Sequence, residues 1–243
     1  EAGAFRSAAQ VYEPSRVYAE LDPPVTVESP VTGRVTAEWT LARATATLAE
    51  PLPERGSVAI DDLELAVQGL QKAVSAAHAE AHMRTADGEA LDLALRYEGL
   101  VLDERLVAGR RLPVIAGDAD LTLENGVALA TGDMSTWRGV SGEIRRLAVL
   151  LTPERGLLAS GPFAVGPDGL IDARLDLIVV DPAGLASDLK PVFPEYANEI
   201  ELFAGSQKKA GPDGTPEITL PLTIRDGRAV VGFIPLGRIP PLD

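Results

Sequence analysis

The sequence contains no cysteine, which excludes disulfides, thiolate metal sites and cysteine nucleophiles. Aromatic residues make up 5% of the chain, too few for the stacking platforms that hold single-stranded nucleic acid. Positive charge is also short: 22 Lys and Arg stand against 36 Asp and Glu, a formal net charge of -14. A surface of that sign repels phosphate backbones and anionic headgroups, so nucleic acid is not an expected partner. No run of ~18 apolar residues occurs, so no segment reads as a membrane-spanning helix. The phosphate-cradling loops G-x-G-x-x-G and G-x-x-x-x-G-K-[ST] and the G-x-S-x-G nucleophile elbow are likewise missing.

What is present is a folded, strand-rich chain. Of its 243 residues, 46% are hydrophobic and 24% charged, the balance of a globular protein with a core. Apolar residues recur with period two, the mark of strands with one face on a core and one in water. In "RVTAEWTL", Val35, Ala37, Trp39 and Leu41 share a face, and Leu91, Leu93, Leu95 and Tyr97 form another. In "SVAIDDLELAV" the alternation changes phase at Asp61-Asp62, which predicts a bulge. Hairpin chemistry falls between the runs at Asp87-Gly88, Asn125-Gly126, Asp168-Gly169 and Asp226-Gly227. After the third pair, Ile171, Ala173, Leu175, Leu177 and Val179 alternate; before the fourth, Ile218, Leu220, Leu222 and Ile224 do.

Helix is scarce, and its best candidate is "DPAGLASDLKPVFPEYANEIELFAGSQ", where Pro191 and Pro194 split two short helices, about 183–190 and 195–205. Leu185 and Leu189 are four apart in the first, and Tyr196, Ile200 and Phe203 line one side of the second. Residues 99–115 fit a short helix or an extended loop equally well. The predicted fold is therefore mainly β: a curved antiparallel sheet or half-barrel in one elongated body, with a sub-boundary near 110–117 and one or two short helices near the C-terminal third.

The segments "LPLTIRDGRAVVGFIPLGRIPPL", "AAQVYEPSRVYAELDPPV" and "LASGPFAVGPDGLIDARLDLIVVDPAGL" resemble the DUF2125 family, uncharacterised envelope proteins of alphaproteobacteria. More distantly, the repeated strand, Gly/Asp turn, strand pattern is similar to the AsmA-like proteins, whose one-side-open β structures are associated with lipid traffic. The resemblance implies a periplasmic protein tethered to the inner membrane by an N-terminal anchor, which this sequence, opening at "EAGAFRSAAQVYEP", does not carry. It implies no cofactor and brings no catalytic residues.

Three functional readings follow. The leading one is a non-catalytic envelope protein that binds or helps transfer a lipid or other apolar molecule, with Leu175, Leu177, Leu220, Leu222 and Phe233 on the inner face as the candidate residues. The competing one is an interaction module that meets another envelope protein through a sheet edge or its acidic exterior. The third is a metal site at "HAEAH", where His78, Glu80 and His82 project from one strand face. Alternate strand residues rise ~6.6 Å, which spreads three such ligands widely and favours a solvated polar face instead. Asp61-Asp62, Asp172 and Asp176 read as outward strand charges, Arg110-Arg111 and Arg145-Arg146 as surface ion-pair partners. In the tail "PLGRIPPL", prolines at an edge strand block further pairing.

Overall fold

The computed structural model describes residues 3–29, 33–67, 69–86, 88–131, 137–205, 209–211 and 214–242. It is 61% strand and 13% helix, mainly β as the alternation requires. The chain divides into two compact units, Glu1–Arg84 with Leu95–Gly117, and Thr85–Ala94 with Asp118–Asp243.

The first unit is built from β1 (Phe5–Gln10), β2 (Glu13–Leu21), β3 (Val25–Ser29), β4 (Gly33–Glu38), β5 (Leu41–Thr47), β6 (Arg55–Val67), β7 (Leu70–Thr85), β8 (Leu91–Leu102) and β9 (Ile115–Leu123), the last two continuing into the second unit. The hydrogen-bonded order is β1-β2-β5-β6-β7-β8-β9, with β4 beside β6 and β3 beside β4. β4 and β5 lie along successive halves of β6 in one register, Glu38↔Glu64 and Leu41↔Asp61, so Trp39-Thr40 is a break in a single long partner strand. Trp39 is buried there and its indole N–H donates to Leu21 O at 2.9 Å.

That break belongs to a line of irregularity crossing the unit. Thr40 donates its backbone N–H to Asp61 O (3.0 Å) and its hydroxyl to Asp62 Oδ2 (2.9 Å). Asp62 has φ 52, a left-handed conformation inside a strand. Asp61 pairs with His78 and Leu63 with Ala76, which sets Asp62 against Ala77. A Cβ on Gly99, φ 65, would lie 2.9 Å from Ala77 Cβ. At this line the apolar parity switches in every strand it crosses: Ala37 and Trp39 give way to Ala42 and Ala44, Val58 and Ile60 to Leu63 and Leu65, Val74 and Ala76 to Ala79 and Ala81, Tyr97 to Leu100 and Leu102. The bulge expected at Asp61-Asp62 is therefore not there: because the neighbouring strands change parity at the same line, β6 and β7 keep one register across it, and their register shifts only between Leu65 and Val67. Residues 99–115, ambiguous in sequence, finish β8, make one 3-10 turn (Glu104–Val107) capped by the Asp103 carboxylate, and run extended into β9.

The second unit adds α1 (Gly126–Thr131), β10 (Ser141–Thr152), β11 (Arg155–Val165), β12 (Ile171–Val180), α2 (Pro182–Leu189), α3 (Ala197–Ala204), β13 (Lys209–Ala210), β14 (Pro216–Arg225), β15 (Arg228–Val231) and β16 (Ile234–Arg238). Its strands follow the order β9-β10-β11-β12-β14-β15-β16, and both ends of the whole path, β1 and β16, have one neighbour each, so the sheet is not closed into a barrel. Asp226 (φ 47) and Gly227 (φ 73) form the expected two-residue turn, with Arg225 paired to Arg228 across it. Gly88 has φ 74 in the predicted β7–β8 turn, while Asp87 lies outside the described residues. Asn125-Gly126 is a correction. It opens α1 rather than a hairpin, and the glycine is needed for space, since a Cβ there would meet Leu91 Cβ at 2.2 Å. The helices split at Pro191 and Pro194 as expected, with a 3-10 turn at Pro194–Tyr196 between them.

The buried cluster of this unit is Ala159, Ala173, Leu175, Ile224 and Ala229, joined by half-buried Phe163, Ile171, Leu222 and Ile239. The proline-rich tail leaves the sheet after β16 and lies on two turns: Ile239 N–H donates to Gly227 O (2.7 Å) and Leu242 N–H to Gly169 O (2.8 Å). The chain exposes 14599 Å², where a compact protein of 25.6 kDa exposes about 10,400 Å².

Substituting Gly99 by Ala should cost about 1–2 kcal/mol more than the same change at Gly109, which also has positive φ (75) but open space around it. Thermal unfolding of the two variants by circular dichroism measures the difference; equal Tm values would mean that the Ala77 contact carries no weight.

Candidate functional site

Antiparallel pairing sets the inner faces of β12 and β14 against each other: Leu175↔Leu222, Leu177↔Leu220 and Val179↔Ile218. β11 continues this face with Leu157↔Val179 and Ala159↔Leu177. Over one end of it lie α2 and α3. Helix α2 starts at Asp181, whose φ of 45 turns the chain out of β12 and whose carboxylate accepts the Gly184 N–H at 3.1 Å, with Pro182 in the first helical turn. Arg155 at the start of β11 holds the helix down, donating from Nε to Asp181 Oδ2 (2.8 Å) and from Nη1 to Asp188 Oδ2 (2.7 Å). Those two carboxylates, Asp188 foremost, raise the guanidinium's pKa above its ordinary value, so the clamp keeps its charge at any working pH. Lys190 Nζ donates to Glu201 Oε2 at 2.6 Å and ties α2 to α3.

Beneath the helices is a cavity of about 180 Å³. Leu157, Leu177, Val179, Leu220 and Val231 form its floor, Leu185, Leu189 and Ile200 its roof, and Leu236 of β16 one side. Every lining residue is apolar. Of the five candidates on the inner face, Leu177 and Leu220 reach this cavity; Leu175 is buried in the neighbouring cluster and Leu222 packs against it. Phe233 is 86% exposed at the turn between β15 and β16, away from the lining. The helical Leu185, Leu189 and Ile200 are the lining residues that the strand pattern alone did not single out, although their four-residue spacing marked an apolar stripe. The side chain of Phe203 lies outside the described residues.

The histidines sit in the first unit. His78, Glu80 and His82 share one face of β7, with Glu80 Oε2 3.8 Å from His78 Nε2 and 3.7 Å from His82 Nε2. Their partner on β6 is Asp61, which pairs with His78 in register and accepts its Nδ1–H at 2.6 Å. That hydrogen bond is the main cause of a His78 pKa raised above 6.5; partial burial opposes it and Glu80 adds to it. Among the described residues no three His, Asp or Glu side chains converge closely enough to hold a metal ion. Arg145 and Arg146 form surface ion pairs as expected, Arg145 with Asp120 and Asp92, Arg146 with Asp118.

A family model described as an uncharacterized protein conserved in bacteria (DUF2125) matches residues 1–240. The chain belongs to the DUF2125 family. The match takes in both units, including the cavity under α2 and α3. No curated protein and no solved structure matches the chain.

Two outcomes follow. Replacing Arg155 by Met should speed amide exchange in α2 by about tenfold or more relative to β12, read by hydrogen exchange, because the helix loses both ties to β11. His78 binds its proton more tightly when folded, so its contribution to stability is complete below pH 6.5 and disappears as pH rises through the raised folded value. His78→Gln should accordingly lower Tm by about 1–3 °C near ~pH 5 and by much less near ~pH 9; an equal loss at both would show that the Asp61 pairing is not responsible.

Proposed function

We propose that this protein is a non-catalytic component of the bacterial cell envelope that binds or passes on an apolar molecule, with the end of an acyl chain seated under α2 and α3. The observation that carries this reading is the cavity with an entirely apolar lining, built by two helices that a single arginine clamp and one lysine–glutamate pair hold over the sheet. At about 180 Å³ it has room for about six groups of methylene or water size, at ~30 Å³ each. This is smaller than the ~300–1,000 Å³ of sites that enclose a whole ligand, which favours a chain end over a complete molecule. A periplasmic location with an inner-membrane tether, and a role akin to that of the AsmA-like proteins, rest on the family resemblance alone.

A second reading, strand addition by a protein partner, is favoured by one feature: β1 has a single neighbour, and Val11 and Tyr12 at its turn are 97% and 86% exposed.

Organic extraction of the protein purified from bacterial cells, followed by mass spectrometry, should recover a copurified lipid. A Leu177→Trp variant, which fills the cavity, should retain about tenfold less of it. Lipid-free wild-type protein, or undiminished lipid on the variant, would remove the apolar-ligand reading and leave strand addition.

A further inference from the structure

The outer face of the last strands carries a second, chemically opposite feature. Period two puts Thr223 and Arg225 of β14 on the side away from Leu222 and Ile224, and Arg174 of β12 away from Ala173 and Leu175. The two-residue turn at Asp226-Gly227 fixes Arg225 directly opposite Arg228, and β16 sets Arg238 directly opposite Arg228. Arg174 pairs with Thr223, one diagonal step from Arg225. Four arginines therefore stand together across four adjacent strands, three of them in a continuous cross-strand row.

None of the four has an acidic partner among the described residues, whereas the other described arginines meet a carboxylate, the Tyr18 ring or another partner. In a chain with 36 acidic residues this is an unfavourable way to place positive charge, because like charges directly opposite each other on a sheet repel. The neighbouring carboxylates do not relieve it. Asp172 accepts the Asp226 N–H at 3.0 Å, and neither Asp172 nor Asp226 forms an ion pair with the row. Thr223, Arg225, Asp226, Arg228, Val230 and Arg238 line a hollow of about 540 Å³. Asp172, Arg174, Arg225 and Asp226 also line an adjoining one of about 390 Å³.

We propose that this outer face of β12, β14, β15 and β16 docks on an anionic membrane surface, its arginines taking the headgroup phosphates. Guanidinium groups bind phosphate bidentately and carry their charge at every pH of interest. Strands ~4.8 Å apart spread the four side chains over ~14 Å, a flat array suited to several headgroups rather than a converging nest for one free ion. The adjoining β15–β16 turn supplies one exposed apolar group, Phe233 at 86% exposure, of the kind that enters the interface beside basic residues. The net charge of -14 argues against headgroup contact by the surface as a whole. At ~0.1 M salt, however, charges beyond ~10 Å are screened, so the local array decides. This inference goes beyond the apolar-ligand reading and does not depend on it, since it concerns the opposite face of the same strands.

The test is flotation of the full chain with phosphatidylcholine vesicles, with and without phosphatidylglycerol, at ~0.1 M salt. The wild type should float with the anionic vesicles only. R225Q/R228Q/R238Q should bind about tenfold or more weakly with an unchanged circular dichroism spectrum, R228Q alone should be intermediate, and R34Q/R96Q, which alters arginines paired to Glu28 and Glu98, should bind like wild type. Equal binding to neutral vesicles, or undiminished binding by the triple variant, would overturn the proposal. So would a rise in Tm with millimolar inorganic phosphate in a protein that floats with no vesicle, because that result assigns the arginines to a free anion.

Discussion

An antiparallel sheet with one apolar face has to cover that face or leave it in contact with water, and a sheet that does not close into a barrel cannot cover it with itself. In the second unit the problem is met in two ways. Near Ala173, Leu175 and Ile224 the face is filled by its own side chains and the returning Ile239. Near Leu177 and Leu220 it is roofed by α2 and α3, and the roof leaves a gap. The difference comes from side-chain volume and support. The first region packs small Ala159, Ala173 and Ala229 around two large residues, whereas the helices rest on the sheet through Leu185 and Leu189 and are held at the edge by Arg155. Polar ties at a rim fix the height of a helix above a sheet without filling the space beneath it.

The first unit shows a different consequence of the same period. A strand that changes apolar parity would normally slip its register against its neighbour or turn its apolar residues into water. Here Thr40, Asp62, Ala77 and Gly99 fall on one line, so each neighbour changes parity at the same point and pairing continues on both sides. Left-handed conformations at Asp62 and Gly99 and the interruption between β4 and β5 at Trp39-Thr40 are the local means. Asp suits such a site because its short polar side chain tolerates positive φ, and the Thr40 hydroxyl holds it there.

Much of this was legible in the sequence where a local rule acts alone. Asp226-Gly227 between alternating runs specifies a two-residue hairpin, and Pro191 with Pro194 ends one helix and begins the next, whatever surrounds them. Legibility failed where the decisive neighbour is remote. Asn125-Gly126 has hairpin chemistry, yet the glycine answers to Leu91, 35 positions away, and starts a helix. The partner of His78 is Asp61, which no spacing within "HAEAH" reveals. Phe233 continues the alternation of Val231 in sequence, but β15 ends at Val231 and the turn releases it into solvent. Of the apolar cavity, the strand floor was readable and the helical roof was visible only as a stripe whose destination the pattern leaves open.

The arginine row was hidden by an average. Net charge sums over the whole surface and predicts repulsion from anything anionic, but a sheet sorts side chains by parity and position before the sum is taken. The hairpin "RDGR" already contains the essential point: a two-residue turn must set the residues on either side of it face to face, so Arg225 and Arg228 are juxtaposed by the turn type itself. Adding Arg238 requires knowing that the chain folds back once more, and adding Arg174 requires the pairing of β12 with β14, which sets it beside Thr223, 49 residues on. The same two pairings place Leu177 beside Leu220 on the reverse side. One set of strand contacts therefore produces both an apolar floor and an unpaired cationic face, and any change that shifted the β12–β14 register by one residue would exchange them.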